Sequence, residues 1–148
     1  DEEYFSLVIA LDVIEHVNDD RASLTAIRHH IAEGGQAVIS VPACMFLWSE
    51  HDVLNEHKRR YTLEELKGKL IDAGFTIEKI SYFNTFLFPL ISLVRMINNF
   101  LKRKGASEID LPHPFINFIV EKIFSLEKYF LRIMNFPIGV SVLAVVRK

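Results

Sequence analysis

The chain has 148 residues, half of them apolar and 24% charged, which is the length of one domain with enough apolar material for a packed core and argues against wholesale disorder. A net charge of −2 gives no electrostatic case for nucleic acid as a partner. The single cysteine, Cys44, excludes an intrachain disulfide and points to a reducing, cytoplasmic setting.

The chain opens on acidic residues with no apolar stretch behind a basic start, so no signal peptide is expected. Phe5 to Leu11, FSLVIAL, reads as a strand buried on both faces. It runs into three ionisable residues, Asp12, Glu15 and His16. Asn18-Asp19-Asp20 offers helix caps, and Leu24, Ile27 and Ile31 follow at helical spacing. Gly34-Gly35 is the expected helix stop, and Gln36 to Val41 the next strand, ended by Pro42. Strand, helix and strand with short links form a βαβ unit, which predicts parallel, adjacent strands.

A loop containing Trp48, His51, Asp52 and His57 follows. Thr62 with Glu65 resembles a capping box at the start of a helix from Leu63 to Ala73, closed by Gly74. Phe75 to Tyr82 reads as a strand. From Asn84 to Asn135 the pattern is helical and strongly apolar, broken at Lys102-Arg103-Lys104-Gly105 and at Pro112 and Pro114. Its longest apolar run, Phe86 to Val94, is about half the ~20 residues that span a membrane, and Arg95 ends it, so a soluble protein is expected. Gly139 to Val146 is a last strand. Four strands, the first preceded by no helix, predict part of a larger α/β sheet.

The order LDVIEHV, a helix, EGGQAVISVP, then HKRRYTLEELKGKLIDAGF closely resembles the class I S-adenosylmethionine-dependent methyltransferases. The likeness is to their C-terminal half, fourth to seventh strands, over Tyr4 to Tyr82 and more weakly Gly139 to Lys148. It implies a Rossmann-like sheet lacking its first three strands. Phe75–Tyr82 and Gly139–Val146 would form an antiparallel edge pair, and residues 84–138 a helical insertion between them. It also implies S-adenosylmethionine as cofactor. The family's glycine-rich loop and ribose-binding acidic residue belong to the strands not found here, so the chain alone is expected to bind that cofactor poorly and to be inactive. An open edge at Phe5–Leu11 is expected to promote self-association.

The resemblance places Leu11, Asp12, Val13 and His16 beside the cofactor, where ligands bind at strand carboxyl ends. Some family members that methylate ring hydroxyls hold a metal at E-x-x-E-H, which corresponds to Asp12, Glu15 and His16; no metal is expected here. The alternative is that Asp12 and Glu15 orient backbone and His16 packs under the helix. The loop after the fifth family strand would cover the substrate side. In it, His51 with Asp52 are the candidate catalytic pair. Trp48, His57, Arg59 and Arg60 are candidates for substrate binding, the arginines through bidentate bonds to a carboxylate or phosphate. The competing reading is a solvated loop whose RRY packs on the next helix, with Trp48 a core anchor and Tyr61 structural. Cys44 reads as a small buried residue.

In Phe115 to Phe136 the polar residues fall in one narrow helical stripe, so this helix is expected to bury most of its circumference. A cap over the site, a homodimer interface or a peripheral membrane contact would each do so. The expected activity is methyl transfer to a small-molecule or lipid-linked acceptor. The rival is a catalytically inactive, methyltransferase-like module for protein interaction or membrane docking.

Overall fold

A computed structural model describes residues 4–100 and 114–148. Strand β1, Phe5–Leu11, leads through a 3₁₀ turn, Ile14–His16, to helix α1, Asp20–His29. Asp19 caps this helix by accepting from the Ala22 amide at 2.9 Å. Strand β2, Ile31–Pro42, follows directly and pairs with β1 in parallel, as a βαβ unit requires. A second 3₁₀ turn, Met45–Leu47, and helix α2, Glu50–Leu54, occupy the next loop. Helix α3, Leu63–Asp72, starts at the Thr62/Glu65 capping box. Strand β3, Thr76–Phe83, helix α4, Phe88–Phe100, helix α5, Pro114–Leu131, and strand β4, Ser141–Arg147, complete the order.

The four strands lie in the order β1-β2-β4-β3, with β4 antiparallel to both neighbours. The chain therefore leaves the sheet at Phe83 and returns between two strands already placed. The junction is tight: the Val140 amide donates to the Phe83 carbonyl at 3.1 Å. A side chain on Gly139 would put its Cβ 2.3 Å from that same oxygen, so only glycine fits.

One face of the sheet carries the core. Ala37, Ile39 and Val41 of β2 and Val142, Ala144 and Val146 of β4 pack with Leu24 of α1 and Leu66 and Leu70 of α3. On the opposite face, Val38, Leu143 and Val145 are half-buried, whereas Leu7, Ile9 and Leu11 of β1 are about half exposed or more. β1 is thus not buried on both faces as its composition suggests. It pairs on one side only, and among the described residues nothing covers its second face.

Two further expectations change. α1 stops at His29, and Ile31 belongs to β2, where it is fully buried and paired with Phe5. Gly34 and Gly35 sit inside β2 at a register shift. A Cβ on Gly35 would lie 2.7 Å from Ile31 Cγ2 and 3.0 Å from the Ser6 carbonyl, so close packing rather than helix capping requires it. Within the single chain, Phe115, Phe118 and Leu126 of α5 are exposed, as is Ile133 beyond its end, and Glu127 is the one residue of the helix that is buried among those described. The Lys102–Gly105 break and Pro112 lie outside the described residues.

Asp20, in the first turn of α1, shows how the helices are locked to the sheet layer. Its buried carboxylate takes Lys69 Nζ at 2.9 Å, the Tyr61 hydroxyl at 2.9 Å and Arg59 Nη1 at 2.9 Å. Burial alone would raise its pKa, but these hydrogen bonds win and hold it down to about 2. The Tyr61 hydroxyl is driven up in turn, by burial first and by the Asp20 carboxylate second. An acid with a depressed folded pKa stabilises above its unfolded value and loses that contribution on acidification. Asp20→Asn should therefore lower unfolding free energy at neutral pH by about 3 kcal/mol, the usual cost of breaking a buried ion pair. In urea titrations the gap to wild type should close as the pH falls from 3.8 to about 2.

Candidate active site

The carboxyl ends of β1 and β2 face the same side of the sheet, and each is followed by a residue in left-handed backbone, Asp12 at φ 51° and Cys44 at φ 60°. This conformation is uncommon for residues other than glycine and turns the chain sharply off the strand. Asp12 is fixed there by Ser40 of the neighbouring strand: its amide donates to the Ser40 carbonyl at 3.1 Å, and Ser40 Oγ donates to Asp12 Oδ1 at 3.1 Å. Leu11, Asp12 and Val13 are exposed. They form an open rim at the end of β1.

The loop from Cys44 to Tyr61 returns to its own starting point. The Cys44 amide donates to the Tyr61 carbonyl at 2.9 Å and the Tyr61 amide to the Pro42 carbonyl at 2.9 Å. Inside the closed loop, Asp52 collects donors. Arg60 reaches it through Nε at 2.8 Å and Nη2 at 3.0 Å, His57 through Nδ1 at 2.9 Å, and the Ser49 amide at 2.8 Å. Burial would raise the Asp52 pKa, yet these donors, Arg60 foremost, lower it, so the group is a carboxylate. Because Asp52 only accepts, His57 must donate its Nδ1–H. That leaves the Nε2 lone pair pointing away from Asp52.

His57 Nε2 lies 3.9 Å from Glu15 Oε1, and His16 Nε2 lies 3.8 Å from the same oxygen. Glu15 is fully buried, and among the described residues neither carboxyl oxygen has a hydrogen-bond partner. Burial is the main cause that raises its pKa. Together with Asp12, Pro42, His51 and Asn55 these residues line a cavity of about 340 Å³, closed by Arg60, Arg95, Val140 and Ser141. Arg95 comes from α4, where its guanidinium donates to the Leu47 carbonyl at 3.0 Å.

Of the residues singled out in the sequence, the cavity brings together Asp12, His16, His51, His57 and Arg60. Leu11 and Val13 lie on the rim. Asp52 stands behind His57 as its partner. Arg60 is engaged by Asp52 and the Ala43 carbonyl, and Arg59 by Asp20 and the carbonyls of Val17 and Asn18. Neither Arg59 nor Trp48 lines the cavity; the Trp48 carbonyl accepts from Asn99 of α4 at 2.9 Å. Glu15 enters the sequence reading only beside Asp12 and His16, as a group that could hold a metal or orient backbone, and Arg95 only as the charge that ends an apolar run. The ligand atoms of Glu15, His16 and His57 lie within 4.8 Å of one another, a set able to hold a divalent ion. Asp12 is not part of that set, in contrast to the D-x-x-E-H grouping.

The family model described as Methyltransferase domain matches residues 1–80. No curated protein matches the chain. Among solved structures, an S-adenosylmethionine-dependent methyltransferase from Mesorhizobium loti is 13% identical with a TM-score of 0.56, over 100% of this chain and 63% of that one. A SAM-dependent methyltransferase from Archaeoglobus fulgidus is 19% identical with a TM-score of 0.51, over 99% and 61%. Phosphoethanolamine N-methyltransferase 2 of Haemonchus contortus, in complex with S-adenosyl-L-methionine, is 17% identical with a TM-score of 0.51, over 97% and 33%. The chain thus spans between a third and two thirds of these proteins, with their sheet architecture. It belongs to the methyltransferase-domain family and has the Rossmann-like class I fold.

Proposed function

We propose that the chain contributes the acceptor side of an S-adenosylmethionine-dependent methyltransferase. The observation that carries this is the cavity at the carboxyl ends of β1 and β2, walled by Glu15, His16, His51 and His57. When bound, the cofactor supplies an electrophilic methyl on a sulfonium, so the protein's task is to aim an acceptor and remove its proton. The exposed rim of Leu11, Asp12 and Val13, with His16 beside it, suits one side of such a cofactor. The described residues hold no glycine-rich phosphate-type loop, so this rim is an incomplete grip. We expect the 148-residue chain alone to be inactive.

His57 is the better-prepared base. Asp52 fixes its tautomer and orientation, and the free Nε2 faces the cavity side. His51, whose ring centroid is 6.4 Å from that of His57, is the second candidate. Asp52 acts through His57 as a positioning residue, and Arg60 holds Asp52. Glu15, buried and with its pKa raised by that burial, stands 3.9 Å from His57 Nε2 and so bears on that base rather than on the acceptor. A lipophilic or lipid-linked acceptor fits the surroundings: Met45 and Phe46, both 57% exposed, and the apolar helix α4 stand beside the loop that closes the cavity. Among the described residues no helix is long and apolar enough to cross a membrane, and a cytoplasmic enzyme is the simplest setting.

Two outcomes test this reading. Calorimetry should show saturable binding of S-adenosylhomocysteine to the longest chain the gene encodes and little or none to the 148 residues; binding by neither would overturn it. Glu15→Gln should raise stability by about 1 kcal/mol at pH 8, as relief of a strained functional site commonly does. An acid whose folded pKa is raised favours the folded state at low pH and costs stability as the pH rises through that value, so the gain should vanish in acid. Denaturant titrations at the two pH values read both.

A further inference from the structure

We infer that helices α4 and α5 form a docking surface for an anionic membrane. The inference builds on the lipophilic-acceptor reading and is tested apart from it. α4 exposes Leu90, Leu93, Met96, Ile97 and Phe100, and an open apolar groove of about 630 Å³ runs along Leu93, Met96, Ile97 and Phe100. α5 exposes Phe115, Ile116, Phe118, Phe124 and Leu126, and Ile133 follows it at 88% exposure. Exposed apolar side chains gathered on each helix in this way exceed the scattered ones of ordinary surfaces. Neither helix is long and apolar enough to span a bilayer, so the geometry that remains is a helix lying in the interface.

Charge selects the occupant. On α5 and just beyond its end Lys122, Lys128 and Arg132 are exposed against one exposed acid, Glu121, in a chain whose net charge is −2. The other acid of the helix, Glu127, is buried and accepts from the Thr85 and Phe86 amides at 2.8 and 3.2 Å, and Arg95 of α4 is buried too, so neither faces outward. Lys122 and Lys128 each lie with Nζ 5.0 Å from an aromatic ring centroid, on Phe118 and Tyr129. Each ammonium thus lies over an exposed ring of the apolar helix, and a lysine so placed can keep its stem on apolar surface while its charge meets a headgroup. A second copy docked on this surface would set these like charges against each other, whereas anionic lipid headgroups neutralise them. Arg95 and Asn99 tie α4 to the Leu47 and Trp48 carbonyls, so docking would bring the catalytic cavity to the lipid.

The test is co-sedimentation of the whole chain with vesicles of phosphatidylcholine alone and with added phosphatidylglycerol. Binding to the anionic vesicles should be on the order of ten-fold tighter or more, and should weaken as salt is raised. Phe100→Ser with Ile133→Ser, both at side chains more than 85% exposed and so tolerable to the fold, should weaken it on the order of ten-fold. Lys122→Glu, Lys128→Glu and Arg132→Glu together, all at exposed positions, should do the same and remove the lipid preference. No binding to anionic vesicles, or binding that neither variant changes, would overturn the inference. A wild-type dimer that Phe100→Ser dissociates, without vesicle binding, would assign the surface to self-association instead. S-adenosylhomocysteine binding needs no membrane, so failure here leaves the methyltransferase reading standing, and the reverse holds too.

Discussion

One carboxylate organises the site. Asp52 is fully buried, which for an unpaired charge would be prohibitive, and it is tolerable only because two nitrogens of Arg60, the His57 ring and the Ser49 amide all donate to it. Those donors lie at both ends of the loop that follows β2. Satisfying the charge therefore folds the loop shut and sets His57 across from Glu15. The same geometry fixes which His57 nitrogen is basic. Stability and chemistry here rest on a single electrostatic requirement: a desolvated charge must be surrounded.

Glu15 obeys the opposite logic a few ångströms away. It is as buried as Asp52, but among the described residues no donor comes within hydrogen-bond distance, the His16 and His57 rings standing 3.8 and 3.9 Å away. The loop supplies a backbone contact instead, the Lys58 amide donating to the Glu15 carbonyl at 3.0 Å, so the main chain is held while the buried carboxyl faces the His57 and His16 rings. Two acids, one ionised by its partners and one pushed toward neutrality by burial, are separated by a histidine that touches the first and faces the second. Such divergent environments are how a site prepares different protonation states at one pH.

The frame of the molecule was legible in the sequence because local chemistry dictates it. The Thr62/Glu65 capping box, the Asp19 cap and the β-branched runs act over a few residues and survive in the structure. The antiparallel pairing of β3 and β4 followed from the family resemblance rather than from local pattern. What could not be read was convergence over distance. Nothing near Arg95 in sequence shows that it reaches the loop after β2, 48 residues earlier, and nothing near Arg60 shows that its charge is spent on Asp52. Exposure also misled. FSLVIAL has the composition of a strand covered on both faces, but coverage depends on neighbours, and β1 has a partner strand on one side only.

The meeting of Phe83 and Gly139 has a consequence for how such a protein can change over time. The chain departs from the sheet and comes back at one point, pinned by the Val140–Phe83 hydrogen bond and by a contact that admits no side chain. Lengthening a segment whose ends already touch alters its closure entropy only slowly. The stretch between those residues can therefore be exchanged, shortened or elaborated while β3 and β4 keep their register. Selection can revise what the protein approaches and admits without reopening the sheet whose strand ends border the cavity.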